Sequence, residues 1–201
     1  MERISSSTGQ GDRLFGIFFI AISIAVALAS VLTEIAFLNK WPLYYSVVIW
    51  IGSFVITFIS LLYNRRNLIW SSFRNRLKNS IKWPLHAKII NGICWAGPFS
   101  MIAVLPSLFP YLILAGIGFG NLSTYILLKK YRNIHYNNHN SSYASQGQLV
   151  VGLISLIAIP IVFEAYTLLT IREDIAALLS RYLISFAYAV GGIYDIMIKK
   201  K

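Results

Sequence analysis

The sequence predicts an all-α integral membrane protein, a bundle of six transmembrane helices with a basic amphipathic helix at the membrane surface. Six long apolar stretches, separated by short polar gaps, fill most of the 201 residues. Only 12% of the residues are charged, about half of the share that is usual for soluble domains. A run of about 20 apolar residues spans the hydrocarbon core as a helix. We therefore expect residues 1–201 to form a single transmembrane domain.

Each apolar stretch defines one predicted helix. The fifth stretch is the clearest, because it holds a single charged side chain. Pro42 and Pro110 lie at the starts of the second and fourth stretches, where a missing N–H is tolerated in the first helical turn. The predicted helices cover residues 14–37, 43–63, 89–105, 110–128, 149–171 and 175–198.

The basic residues predict the orientation, because Lys and Arg accumulate on the cytoplasmic side. With six helices, most of the basic segments fall on one side, whereas the other side receives only Lys40 and Arg172. We therefore expect both termini to be cytoplasmic and the protein to lie in the cell membrane. A signal peptide that is cleaved after Ala29 is the alternative for the first stretch, and it would leave five helices.

The net charge of +11 indicates an anionic partner. Because the basic residues flank apolar spans, we expect that partner to be phospholipid and not nucleic acid. Apolar residues at helical spacing predict an interfacial helix over residues 66–82, which is either an orientation signal or a docking face for a lipid or a partner protein. The residues expected to contact lipid headgroups are Arg65, Arg66, Arg74, Arg76, Lys78 and Lys82.

Charged side chains within the apolar stretches are the candidate site. Helices five and six form a tight hairpin, and the rise of 1.5 Å per residue places Glu164 and Arg181 at similar depth. An unpaired charge near the bilayer centre costs ~2.5–3.5 kcal/mol, so we expect these two to pair and Glu34 to be able to join them. Asp195 is expected to be solvated or locally paired. The candidate substrate-binding residues are Glu34, Glu164, Arg181, Tyr166 and Ser185.

Prolines and glycines indicate bends and close contacts. Pro160 is expected to kink helix five one turn before Glu164, and Pro98 to kink or break helix three. Both positions are candidates for gating. Gly116 and Gly120 form a small-xxx-small pair, which predicts a close helix contact within the bundle or between subunits.

The sequence favours a role that is not enzymatic. It has no His, Cys or carboxylate cluster with metal spacing, no nucleophile elbow and no phosphate-binding loop, so neither a metal nor a cofactor is expected. The leading hypothesis is an oligomeric transporter or channel-like protein for a small polar or charged solute. The first alternative is a non-catalytic subunit of a larger membrane complex. The second is a lipid-modifying enzyme in which Glu164 or Glu34 is the base and Arg181 holds a phosphate.

Overall fold

A computed structural model describes residues 5–42, 44–63, 83–135, 146–169 and 171–197, which are helical almost throughout. No β-strand occurs in these ranges. The α-helices of these ranges are α1 (Ser5–Leu38), α2 (Tyr44–Leu62), α3 (Leu85–Met101), α4 (Phe109–His135), α5 (Gln146–Leu168) and α6 (Glu173–Met197), and a short 3₁₀ turn (Pro106–Leu108) precedes α4.

Five helical segments in the described ranges are long and apolar enough to cross a membrane. They are Leu14–Leu38, Tyr44–Leu61, Pro106–Tyr131, Gln146–Leu168 and Glu173–Met197. The chain is therefore a multi-pass helical membrane protein. The predicted interfacial helix and the six basic residues assigned to lipid headgroups lie outside the described residues.

The third helix differs from its prediction. It contains 17 residues, which gives a length of ~25 Å, slightly less than the ~30 Å hydrocarbon core. It begins at Leu85, before the predicted start, and runs through Pro98 to end at Met101. Tight backbone turns then continue the chain as far as Leu105. The proline lies in the last turn, so it coincides with the end of the helix and does not divide it.

Two other helices extend beyond their apolar stretches. Helix α1 begins at Ser5 and α4 continues to His135. Polar residues such as Lys129 and Lys130 continue α4, because Lys and Arg are good helix formers and need no apolar surroundings. The apolar pattern predicted the spans but not where these helices end.

The helices pack in the order α2–α1–α6–α5–α4–α3, and α4 also touches α6. Neighbours in this row are antiparallel. Four of the five pairs are consecutive along the chain, where short connections favour this arrangement, and the fifth joins the first helix, α1, to the last, α6. Helix α6 is central, since it contacts α1, α5 and α4, whereas α2 packs mainly on α1 and α3 on α4. We call the end of the bundle where α1 ends the Lys40 end, and the opposite end, where α6 ends, the Asp195 end.

Glycines allow α6 to approach two neighbours at backbone distance. A Cβ on Gly192 would lie 2.6 Å from the carbonyl oxygen of Gly16 in α1, and a Cβ on Gly191 would lie 2.8 Å from that of Gly147 in α5. Consecutive residues point about 100° apart on a helix. The two adjacent glycines therefore serve two different interfaces.

An aromatic contact continues the interface between α1 and α6. The rings of Phe19 in α1 and Tyr188 in α6 meet edge to face with centroids 5.6 Å apart. Close approach with an aromatic contact is the packing expected between helices in lipid, where no hydrophobic force draws them together.

Helix α1 ends in a Schellman motif. The Trp41 N–H donates to the Ala36 carbonyl at 2.9 Å, and the Lys40 N–H donates to the Phe37 carbonyl at 3.0 Å. The motif requires a left-handed residue, and Lys40 has φ 54°. Glycine is usual at this position, and a residue with a Cβ costs roughly 1–2 kcal/mol there.

Gly192→Ala should lower the stability of the bundle, because the new Cβ would meet the backbone of α1. We expect a loss of about 1–3 kcal/mol, the usual cost of overpacking, in thermal unfolding followed by circular dichroism in detergent. Gly92→Ala is the matched control, since a Cβ there meets nothing within 4 Å. That control should be neutral or gain up to ~1 kcal/mol from helix propensity. Equal shifts in both variants would contradict the role of Gly192.

Candidate functional site

One stripe of α6 carries a series of polar side chains, which we call the α6 polar stripe: Arg181, Ser185, Tyr188 and Asp195. Their spacings of four, three and seven residues place them on one side of the helix. The first and last members are separated by ~21 Å along the axis. The stripe therefore extends over most of the thickness of the bundle.

At the Lys40 end, Arg181 pairs with Glu34 of α1. The Nη2 of Arg181 lies 2.6 Å from Oε1 of Glu34, and its Nε donates to the Ala177 carbonyl at 3.2 Å. The side chains are 12% and 30% exposed respectively. The pair is thus largely, but not fully, removed from solvent, and a charge-assisted bond of this length is strong.

The expected pairing of Arg181 with Glu164 is wrong. Glu164 is exposed on α5 and forms no ion pair with Arg181, although both side chains are described. The buried side of α5 includes Val162, and Glu164 follows it by two residues, about 200° around the helix. The depth of Glu164 was calculated from the rise per residue, but its direction depends on which side of α5 is buried.

Glu164 lies on an exposed apolar stripe of α5. Its neighbours on that stripe are Leu153, Ile157, Ile161 and Leu168, which are 46%, 61%, 50% and 77% exposed. Tyr166 is also exposed near the end of α5. These two candidate residues therefore lie apart from the interface between α1 and α6.

Ser185 joins the same interface as the ion pair. Its Oγ lies 2.9 Å from the Ser23 carbonyl oxygen and 3.1 Å from the Ser23 Oγ. Both side chains are buried. Of the five candidate substrate-binding residues, the structure thus brings Glu34, Arg181 and Ser185 together along α1 and α6.

The middle of the stripe contains a contact that the sequence analysis missed. The Asn121 amide of α4 lies 3.4 Å from the Tyr188 hydroxyl and donates to the Ile117 carbonyl at 2.8 Å. Both side chains are about 95% buried or more. An amide within an apolar stretch was the available signal, because such a group needs a partner in lipid.

Asp195 is not solvated. It is 4% exposed, and its Oδ1 accepts a 2.7 Å hydrogen bond from the Gly147 N–H. Gly147 lies in the first turn of α5, where N–H groups lack partners within the helix, and the positive end of the helix dipole favours a carboxylate. Asp195 therefore caps α5. Its place fourteen residues after Arg181, on the same helical stripe, was the signal in the sequence.

The two glycines predicted to mediate packing lie against α3, within the bundle of this chain. A Cβ on Gly116 would lie 2.7 Å from the Phe99 ring, and one on Gly120 would overlap the Trp95 ring. The Trp95 Nε1 also donates to the Thr124 hydroxyl at 3.0 Å. Each aromatic ring of α3 thus lies over a glycine of α4.

The prolines proposed for gating lie inside helices. Pro98 is in the last turn of α3, and α5 remains helical through Pro160 as far as Leu168. Neither side chain is buried. Pro160 lies one turn before Glu164, and both residues are exposed on α5.

Substitution of Glu34 and Arg181 should show coupling. Glu34→Gln and Arg181→Gln should each lower the free energy of unfolding, and the double variant should lose less than their sum by about 0.5–3 kcal/mol. Equilibrium unfolding in mild denaturant measures the three values. Glu164→Gln combined with Arg181→Gln is the control and should be additive. Coupling that is larger in the control would contradict the observed pairing.

No protein-family model, curated protein or solved structure matches this chain. The structure therefore identifies only the class of the protein. It is a multi-pass helical membrane protein in which polar groups of α6 bind to three neighbouring helices.

Proposed function

We propose that the protein moves a small polar or charged solute across the membrane, and that Glu34 and Arg181 form the binding site at the Lys40 end. The observation that carries this proposal is the α6 polar stripe. Polar groups in a membrane interior are costly, and they commonly mark the pathway of an ion or solute. A series of four along one helix is more than a single packing contact needs.

The ion pair has the chemistry of an exchangeable site. Glu34 can accept hydrogen bonds from an ammonium or hydroxyl group, and Arg181 can donate to a carboxylate or phosphate. Both side chains retain some exposure, 30% and 12%. A solute that carries one or both charges could therefore replace part of the internal pair.

A buried hydroxyl next to Glu34 in the sequence supports the same site. Thr33 precedes Glu34, is 6% exposed, and its Oγ1 has no hydrogen-bond partner among the described residues. An unsatisfied buried hydroxyl costs ~1–3 kcal/mol. A polar solute at this position would supply the missing partner.

Flux into proteoliposomes tests the proposal. Glu34→Gln should reduce the flux of the transported solute at least about tenfold, because an amide cannot balance the charge of Arg181. A tenfold change corresponds to a loss of ~1.4 kcal/mol of interaction free energy at the site. Candidate solutes are screened first as sets of amines, carboxylates and inorganic ions. Glu164→Gln is the matched control, since it removes the same charge from the exposed side of α5.

The result for Glu34→Gln separates two functions. Unchanged flux in a folded Glu34→Gln protein would remove the proposed pathway. If the unmodified protein transports no solute of any class, the role of a non-catalytic subunit of a larger membrane complex would be favoured. The exposed stripe of α5, with Glu164 among apolar residues, would then be the contact surface.

We also propose that the Asp195 end and both termini face the cytoplasm, with α3 as the sixth span. The basic residues of the sequence support this orientation, because Lys40 and Arg172 are the only basic residues in the segments expected to connect the helices at the opposite end.

Cysteine labelling tests the orientation, since Cys94 is the only cysteine and can be replaced by serine. In that background, Asp174→Cys should react with a membrane-impermeant maleimide in intact cells. Gln146→Cys, at the other end of the bundle, should react only after permeabilisation. The reverse pattern would invert the proposed topology, and labelling of both in intact cells would contradict it.

A further inference from the structure

A recess lies at the Lys40 end, where the chain passes from α1 to α2. Its volume is about 450 Å³, and it is lined by Ala36, Phe37, Lys40, Trp41 and Ser46. The lining combines apolar and aromatic side chains with one ammonium group and one hydroxyl. This mixture fits a ligand that is charged at one end and apolar at the other.

Lys40 differs from the other described cations at this end of the bundle. Arg172 pairs with Asp174 at 3.1 Å, and Arg181 pairs with Glu34 at 2.6 Å. Within the described part of the chain, Lys40 makes no ion pair. It also occupies a left-handed position that glycine would occupy without strain. The fold thus gives no reason for a lysine at this position, whereas an anion in the recess would give one.

The surroundings are typical of the headgroup level of a bilayer. The rings of Trp41 and Tyr45 lie 5.4 Å apart, and those of Tyr44 and Tyr45 stack at 4.5 Å. Trp and Tyr concentrate at the interface between membrane and water. Along α2, beyond these rings, Val48 and Ile51 are each 61% exposed. An apolar surface therefore extends along α2 from the level of the recess towards the membrane interior.

We propose that the recess binds the headgroup of an anionic phospholipid, with the Lys40 ammonium against the phosphate and an acyl chain along α2. Charge complementarity favours a lipid with a net negative charge, because Lys40 has no carboxylate partner among the described residues. A free phosphate would leave the apolar lining and the exposed side of α2 without a ligand. The site lies in the leaflet opposite to the one expected for the basic segment between α2 and α3.

Lys40→Gly tests the proposal without disturbing the fold, since glycine adopts the left-handed conformation freely. Native mass spectrometry of the purified protein, incubated with phosphatidylglycerol, measures the lipid that remains bound. We expect about fivefold less retention in Lys40→Gly, because one basic residue near an anionic surface contributes ~1 kcal/mol and this energy corresponds to about a fivefold change in affinity. Arg172→Gln is the control and should retain the lipid, because Arg172 is already paired. Retention of phosphatidylcholine should be the same in all variants.

Three results would overturn the proposal. The first is equal retention of phosphatidylglycerol by Lys40→Gly and the unmodified protein. The second is a thermal stabilisation by inorganic phosphate that depends on Lys40 and equals the stabilisation by phosphatidylglycerol, which would assign the recess to a free anion. The third is the loss of a dimer in Lys40→Gly with unchanged lipid retention, which would assign the recess to a contact between two copies of the chain.

Discussion

The structure depends on the approach of α6 to α1 and α5 at backbone distance. Gly191 and Gly192 are adjacent, so one helix can present a bare backbone in two directions, towards Gly147 and Gly16. Between helices in lipid, association rests on van der Waals contact and hydrogen bonds. Close contact on two sides gives α6 its central position between α1 and α5.

The polar groups of α6 specify the same arrangement as the glycines. Arg181 pairs with a carboxylate of α1, Tyr188 contacts an amide of α4, and Asp195 accepts an N–H of α5. Each group would be costly in lipid without its partner. If α1 or α5 were rotated about its axis, it would lose both its glycine contact and its polar contact with α6. Packing and polar pairing therefore support one fold, and one of the groups that select the neighbours, Arg181, is also proposed to contact a solute.

The sequence predicted what depends on local composition and missed what depends on neighbours. Apolar length gave the five long helices, and Gly116 was singled out by its spacing alone. Pairing of Arg181 with Glu164 was predicted incorrectly, whereas Glu34, which was expected to be able to join that pair, is the observed partner. The rise per residue fixes depth, but pairing also needs the direction of each side chain and the contact between the first and last helices. The partner of Asp195 was missed for the same reason, since it is the backbone of α5, which no side-chain pattern reveals.

The two ends of the contact between α1 and α6 differ in what holds them. Near the Asp195 end, Gly16 and Gly192 meet through backbone atoms, and neither lipid nor water could replace that contact without a void. Near the Lys40 end, the contact is an ion pair that retains partial exposure, and water or a polar solute can replace such bonds. Separation of the helices therefore costs less at the Lys40 end. Under the proposed function, a solute that entered from this side would meet the ion pair first, while the glycine contacts would keep α6 in place.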